Sequence, residues 1–262
     1  VEAIKKKKIK VEGLDAYANE KEFLASLSEK EIANLFDNLK EKYGRDIFGQ
    51  GYIYKIIDDS ELANVDELTK DEKENGIDTS KNFYVPYDKG DKDGNRWYLE
   101  TPFAIAWSKE NVQFLKTDPR ARYQGYTFYF REGFCWIDVN STYLKARLKG
   151  NGVFDVLSMS LFSMNQIPDW YYVSLINSEL ISLYVDNFVN NTSHFQINDA
   201  RQLPIVIPNL KILNKIEQLC KEAICLKKDS FSSLVDRTTA EEKLLALQRD
   251  LDYYVQAELY GI

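Results

Sequence analysis

The sequence of 262 residues is poor in the groups that most often carry chemistry: one histidine, two methionines, three cysteines and six prolines. Cys135, Cys220 and Cys225 are too few and too scattered for a disulfide framework, which points to a reducing, cytoplasmic setting. No apolar run approaches the roughly 18 residues that a membrane span requires, and no signal peptide is read at the start. The chain opens on Val1 rather than Met, and we expect a piece of a longer polypeptide. A P-loop and a G-x-G-x-x-G stretch are both missing, so nucleotide binding has no motif. A Ser-His-Asp triad would have to use His194 with Ser193 and Asp199, which sit in no recognisable context; a polar loop histidine is the plainer reading. Cys220 and Cys225 find no second pair to complete a zinc site and read as core residues. Pro168-Asp169 lacks the lysine that a metal nuclease needs, since none occurs between Lys149 and Lys211. No two prolines are adjacent, so an Asn-Pro-Pro-Tyr loop for amino-group methylation is absent. The expectation is a chain without a complete active site, holding neither metal nor cofactor.

What is present is an ordinary globular composition, 44% apolar and 29% charged, with 17 Tyr, 14 Phe and 4 Trp. The net charge of −7 argues against a polyanionic partner, but its distribution argues otherwise. Residues 1–95 carry 16 basic and 22 acidic groups, residues 96–149 carry 9 and 5, and residues 150–262 carry 9 and 14. Salt screens exposed charges beyond about 10 Å at 0.1 M, so a local basic face outweighs the global total. Five of the nine arginines (Arg96, Arg120, Arg122, Arg131 and Arg147) fall in the basic middle.

The patterning predicts an α+β protein, with a β-rich centre between an N-terminal helical connector (1–75) and a C-terminal helical hairpin (210–262). Residues 1–47 read as helical, with a basic run at 5–10 taken as a solvated face and a capping box of Ser28 with Glu31. Residues 52–57 are a strand candidate. Phe83-Tyr84-Val85-Pro86-Tyr87 and Arg96-Trp97-Tyr98-Leu99 read as strands joined by a hairpin turn at Asp93-Gly94. A calcium loop there fails, because the twelfth position from Asp91 is Pro102. Further strands are expected at 126–131, 134–139 and 154–162, and an edge strand at 203–207 between prolines. Residues 170–184 read as helix, as do 210–228 and a segment after a second capping box, Thr238 with Glu241. Trp97, Trp107 and Trp136 read as core.

Within the centre, Asp118-Pro119-Arg120-Ala121-Arg122-Tyr123-Gln124-Gly125-Tyr126 interleaves arginine with tyrosine. Lys145, Arg147 and Lys149 alternate, which on a strand puts all three on one face. Lysines suit phosphates, while arginine also forks onto guanine in the major groove. A solvated strand face bridged to Glu132 and Asp138 fits the same residues equally, and exposed aromatics would also suit a carbohydrate-binding module.

The order of short motifs resembles the target recognition domain of fused type II restriction–methyltransferase enzymes, the adenine-N6 class. Carrying it are Gly76-Ile77-Asp78-Thr79, Tyr84-Val85-Pro86, Lys89-Gly90, Arg96-Trp97-Tyr98, Ile105-Ala106-Trp107-Ser108, Arg120-Ala121-Arg122-Tyr123 and Gly133-Phe134-Cys135-Trp136. Leu175-Ile176-Asn177-Ser178, Asn190-Asn191-Thr192, Gln196-Ile197-Asn198-Asp199, Leu203-Pro204-Ile205-Val206-Ile207-Pro208 and Leu259-Tyr260-Gly261-Ile262 complete it. Type I specificity subunits, which act as scaffolds, share the strand followed by long helices but carry two such units. The resemblance implies a recognition domain at 76–209 with residues 210–262 packed on it, binding double-stranded DNA. It also implies that the methyltransferase domain, with S-adenosylmethionine, lies N-terminal in the same polypeptide, and the intact enzyme belongs to a class that can include an endonuclease. The target adenine would swing out of the stack into that partner domain. The DNA-binding residues implied by resemblance and chemistry are Lys89, Arg96, Arg120, Arg122, Tyr123, Arg131, Lys145, Arg147 and Lys149, with Asn190, Asn191, His194 and Gln196 as a second group.

Overall fold

The computed structural model describes residues 11–18, 20–43, 53–91, 94–100, 103–119, 121, 123–138 and 143–262. They form a mixed α+β fold of two small sheets and several helices. Helices α1 (Glu20–Ala25) and α2 (Glu29–Tyr43) share a small core of Val11, Phe23 and Leu39. The Ser28–Glu31 capping box forms as the sequence predicts: each backbone N–H bonds the other's side chain.

The first sheet runs β1 (Tyr54–Ile56), β3 (Phe103–Ala106), β2 (Tyr84–Asp88), β6 (Val153–Phe154). Its first two pairings are antiparallel, with Tyr54 and Val85 both opposite Ile105, and β6 joins parallel with Val153 opposite Tyr87. Val65, Ile77, Val85, Ile105, Trp107 and Val112 fill its core. Helices α3 (Lys70–Asn75) and α4 (Lys109–Thr117) flank it, capped by Thr69 and Ser108. Residues 53–77 thus share the core and hydrogen bonds of this sheet, where the sequence suggests a connector.

The second sheet runs β5 (Ala146–Lys149), β4 (Gly133–Ile137), β7 (Ser158–Leu161), all antiparallel. One face carries Phe134, Trp136 and Ala146 into the largest core, shared with α5 (Asp169–Ile176), α6 (Glu179–Tyr184), α8 (Leu210–Phe231) and α9 (Arg237–Tyr253). A short α7 (Ile197–Ala200) lies between α6 and α8. Wider π turns continue α6 over Val185–Val189 and α9 over Tyr254–Tyr260. Asn177, fully buried, closes one edge of the sheet like a missing strand. Its Oδ1 accepts from Ala146 N at 2.7 Å and its Nδ2 donates to Ala146 O at 2.9 Å.

Several expectations fail, each for a local reason. Residues 96–99 do not pair with β2; Trp97 takes a left-handed φ of 70° and donates its N–H to Ala146 O, so the chain crosses to the second sheet and no hairpin forms. Tyr126–Phe128 is a 3-10 turn, launched by Gly125 at φ 69° and closed by Phe130 at φ 61°. The segment 203–207 joins no ladder: its prolines lack donors, and its carbonyls at Val206 and Pro204 instead accept from the Tyr171 and Tyr260 hydroxyls. Asp236, not Thr238, caps α9. Cys225 is exposed, while Cys220 is core as expected. Trp97, Trp107 and Trp136 are all buried. The basic run at 5–10 and Asp93 lie outside the described residues. No helix among the described residues is long and apolar enough to cross a membrane.

Candidate nucleic-acid interface

The alternation of Lys145, Arg147 and Lys149 is real, yet it does not face solvent. Ala146 and Leu148 turn toward the helices, so Arg147 and Lys149 turn the other way, where Asp88 at the end of β2 covers the sheet. Arg147 is 2% exposed and its Nη2 meets Asp88 Oδ1 at 2.8 Å. Burial alone would raise the Asp88 carboxyl, but the guanidinium, with the Gly90 N–H, holds it below the usual range. The Cys135 thiol beside it is pushed up to about 12, by burial first and by Asp88 second. Lys149 is 7% exposed and its Nζ has no hydrogen-bond partner among the described residues. The ammonium sits 4.1 Å from the Phe154 ring centre and 5.0 Å from that of Phe162, and burial lowers its pKa to about 8. Neither cation is presented to a phosphate.

The remaining candidates divide. Arg96 is half-buried, donating to Leu144 O at 3.3 Å and lying over Tyr143. Lys145 is half-buried, its stem against Gly94. Lys89 donates to Tyr54 Oη at 2.5 Å and sits over that ring. Arg131 is exposed, its guanidinium over Phe128 and Phe162. Arg120 and Arg122 lie outside the described residues. The second group does assemble: Asn190, Asn191, His194 and Phe195 line a hollow of about 330 Å³, with Gln196 exposed beside it. Asn190 holds this loop by donating to His194 O and Asp199 Oδ2, and His194 Nδ1 lies 3.0 Å from Asp138 Oδ2.

Tyr123 leads to a site the sequence does not fully reveal. Gly125 turns the chain so that Tyr126 folds back over Tyr123, ring centres 5.1 Å apart and planes within 8°. On its inner side Tyr123 lies over Trp107 at 6.5 Å and 24°. Trp107 is fixed by donating Nε1–H to the Glu72 and Lys73 carbonyls and by the edges of Tyr129 and Phe130. Burial, then Tyr126 and Glu74, raise the Tyr123 phenol. Tyr123, Tyr126, Tyr129 and Phe130 floor a groove of about 450 Å³ between α3, the end of α4 and residues 123–130. Lys70, Lys73 and Lys116 rim it, with Glu74 the one carboxylate. Lys70 reaches Glu74 at 3.7 Å in the open, a contact worth little, and Lys116 donates to Asn75 Oδ1 at 2.9 Å.

No local signal marks those three lysines: Lys70 and Lys73 fall in a stretch that reads as polar surface, Lys116 lies on α4, and only tertiary structure brings them beside Tyr123. A larger cleft of about 470 Å³ lies by the seam between the sheets, but Asp59, Asp88 and Glu100 line it alongside Arg147 and Lys149, so it offers no net positive face. Among the described residues no cluster of His, Cys, Asp or Glu could hold a metal ion. Compared with known proteins, the chain matches no family model and no curated sequence.

Proposed function

We propose that this chain is the DNA-recognition part of an adenine-N6 methyltransferase of restriction–modification type. On this reading methyl transfer and S-adenosylmethionine belong to another domain of the same polypeptide. The observation that carries it is the parallel Tyr123–Tyr126 pair on the floor of a groove rimmed by three lysines and one glutamate. Cationic side chains beside stacked aromatic rings are the combination that holds a nucleic-acid strand: the charges track phosphates and the rings meet bases. In the sequence Arg120 and Arg122 precede Tyr123 within three positions, and exposed Arg131 follows. The motif order described above supports the methyltransferase context.

Fluorescence anisotropy with labelled duplex DNA at about 50 mM salt tests the reading, because phosphate contacts make binding fall steeply as salt rises. Binding that weakens with salt is expected, together with a loss of about tenfold or more on charge reversal at Lys73 and Lys116 or at Arg120 and Arg122. Absence of binding at roughly 100 μM chain, the weak end of ordinary non-specific affinity at physiological salt and well beyond it at about 50 mM, would overturn it. Stacked rings also suit a sugar, and salt-independent binding of a neutral oligosaccharide would favour the carbohydrate reading instead.

A further inference from the structure

We propose that Tyr126 is the outermost ring of a built stacking column and takes an unpaired nucleobase of a DNA strand, with the groove lysines on the flanking phosphates. The inference rests on the DNA-binding reading above and goes beyond it by naming the form of DNA that the groove prefers. Trp107 is wholly buried, Tyr123 half-buried and Tyr126 56% exposed, so the three rings lead from the core to the surface. Among the described residues, the outer face of Tyr126 meets no further ring.

The last ring is also held in place. Phe128 N donates to Gly125 O at 2.9 Å and Tyr129 N to Tyr126 O at 3.2 Å, fixing the 3-10 turn that carries it. A rigid, half-exposed ring loses little freedom on meeting a flat partner, which favours stacking over a floppy surface tyrosine. A base inside a duplex has both faces covered by its neighbours. Only a base that is bulged, extruded or single-stranded offers a free face. Lys73 and Lys116, which line the same groove as the rings, suit the phosphates that flank such a base, and a neutral sugar would leave them without a role.

The full chain is titrated with three DNAs: a flush duplex, the same duplex with one unpaired 2-aminopurine, and the matching single strand. Tighter binding of the bulged duplex by about tenfold is expected, in the range of a single base–aromatic stack, with quenched 2-aminopurine emission. Tyr126→Ala should abolish the preference and the quenching, bringing the bulged duplex down to the affinity of the flush one, and Tyr126→Phe should keep both. Circular dichroism and Tyr126→Phe together control for folding. Equal affinity for bulged and flush duplex, or a preference that survives Tyr126→Ala, overturns this inference alone. Failure to bind any of the three DNAs overturns the DNA-binding reading and this one with it.

Discussion

At the residue scale, two buried cations define how the molecule responds to charge and pH. Arg147 is compensated by Asp88, and breaking such a pair leaves a guanidinium without a partner in the interior. Asp88→Asn should therefore cost about 3–5 kcal/mol in denaturant unfolding. Lys149 has no hydrogen-bond partner among the described residues and rests against two aromatic faces, with the Asp88 carboxylate acting on it from a distance. Its folded pKa of about 8 lies below the ordinary 10.5, so folding at neutral pH keeps a proton on an amine that its surroundings disfavour. Lys149→Met should stabilise the fold by about 1–3 kcal/mol at pH 7. The gap between variant and wild type should shrink as pH rises from about 8 toward 10.5, where the unfolded chain also sheds the proton. A gap that widens over that interval would contradict the assignment. The same variant should leave DNA affinity unaltered, since the amine does not reach solvent.

At the element scale, Asn177 does the work of a strand with one side chain. Asn177→Ala orphans the Ala146 N–H at a dry sheet edge, while Ala146 O keeps the Trp97 N–H, and should lower stability by about 1–3 kcal/mol, read from the thermal midpoint. The strands at Tyr84–Asp88 and Gly133–Ile137 and the helix pair α8 and α9 were legible because periodicity reports burial on one or both faces. The stretches at 96–99 and 126–131 were not. Their aromatic runs look like strands, and the bends come from left-handed residues, Trp97 and Phe130, whose side chains announce nothing of the kind. The same limit applied to the site. Alternation correctly put Arg147 and Lys149 on one face, but which face is covered depends on Asp88, about sixty positions earlier. Tyr123 is legible through its arginine neighbours, whereas Lys73 and Lys116 are reachable only through the fold.

At the scale of the whole molecule, the C-terminal helices and the second sheet are one unit of packing. Ile216, Leu219, Leu251 and Val255 lie in the same core as Trp136 and Ala146. Removing residues 210–262 should abolish cooperative unfolding of the second sheet, seen as loss of the buried-tryptophan emission maximum, instead of yielding a smaller folded recognition domain. The first sheet keeps a core of its own, built around Trp107. That indole sits at the inner end of the aromatic column, and two tyrosines lie between it and the solvent. Excitation of a tyrosine can pass to a nearby indole, so cover over the exposed end of the column should alter the tyrosine-sensitised part of the emission from Trp107, one of four tryptophans in the chain. That indole is in turn tied to the backbone of the helix that bears Lys70 and Lys73.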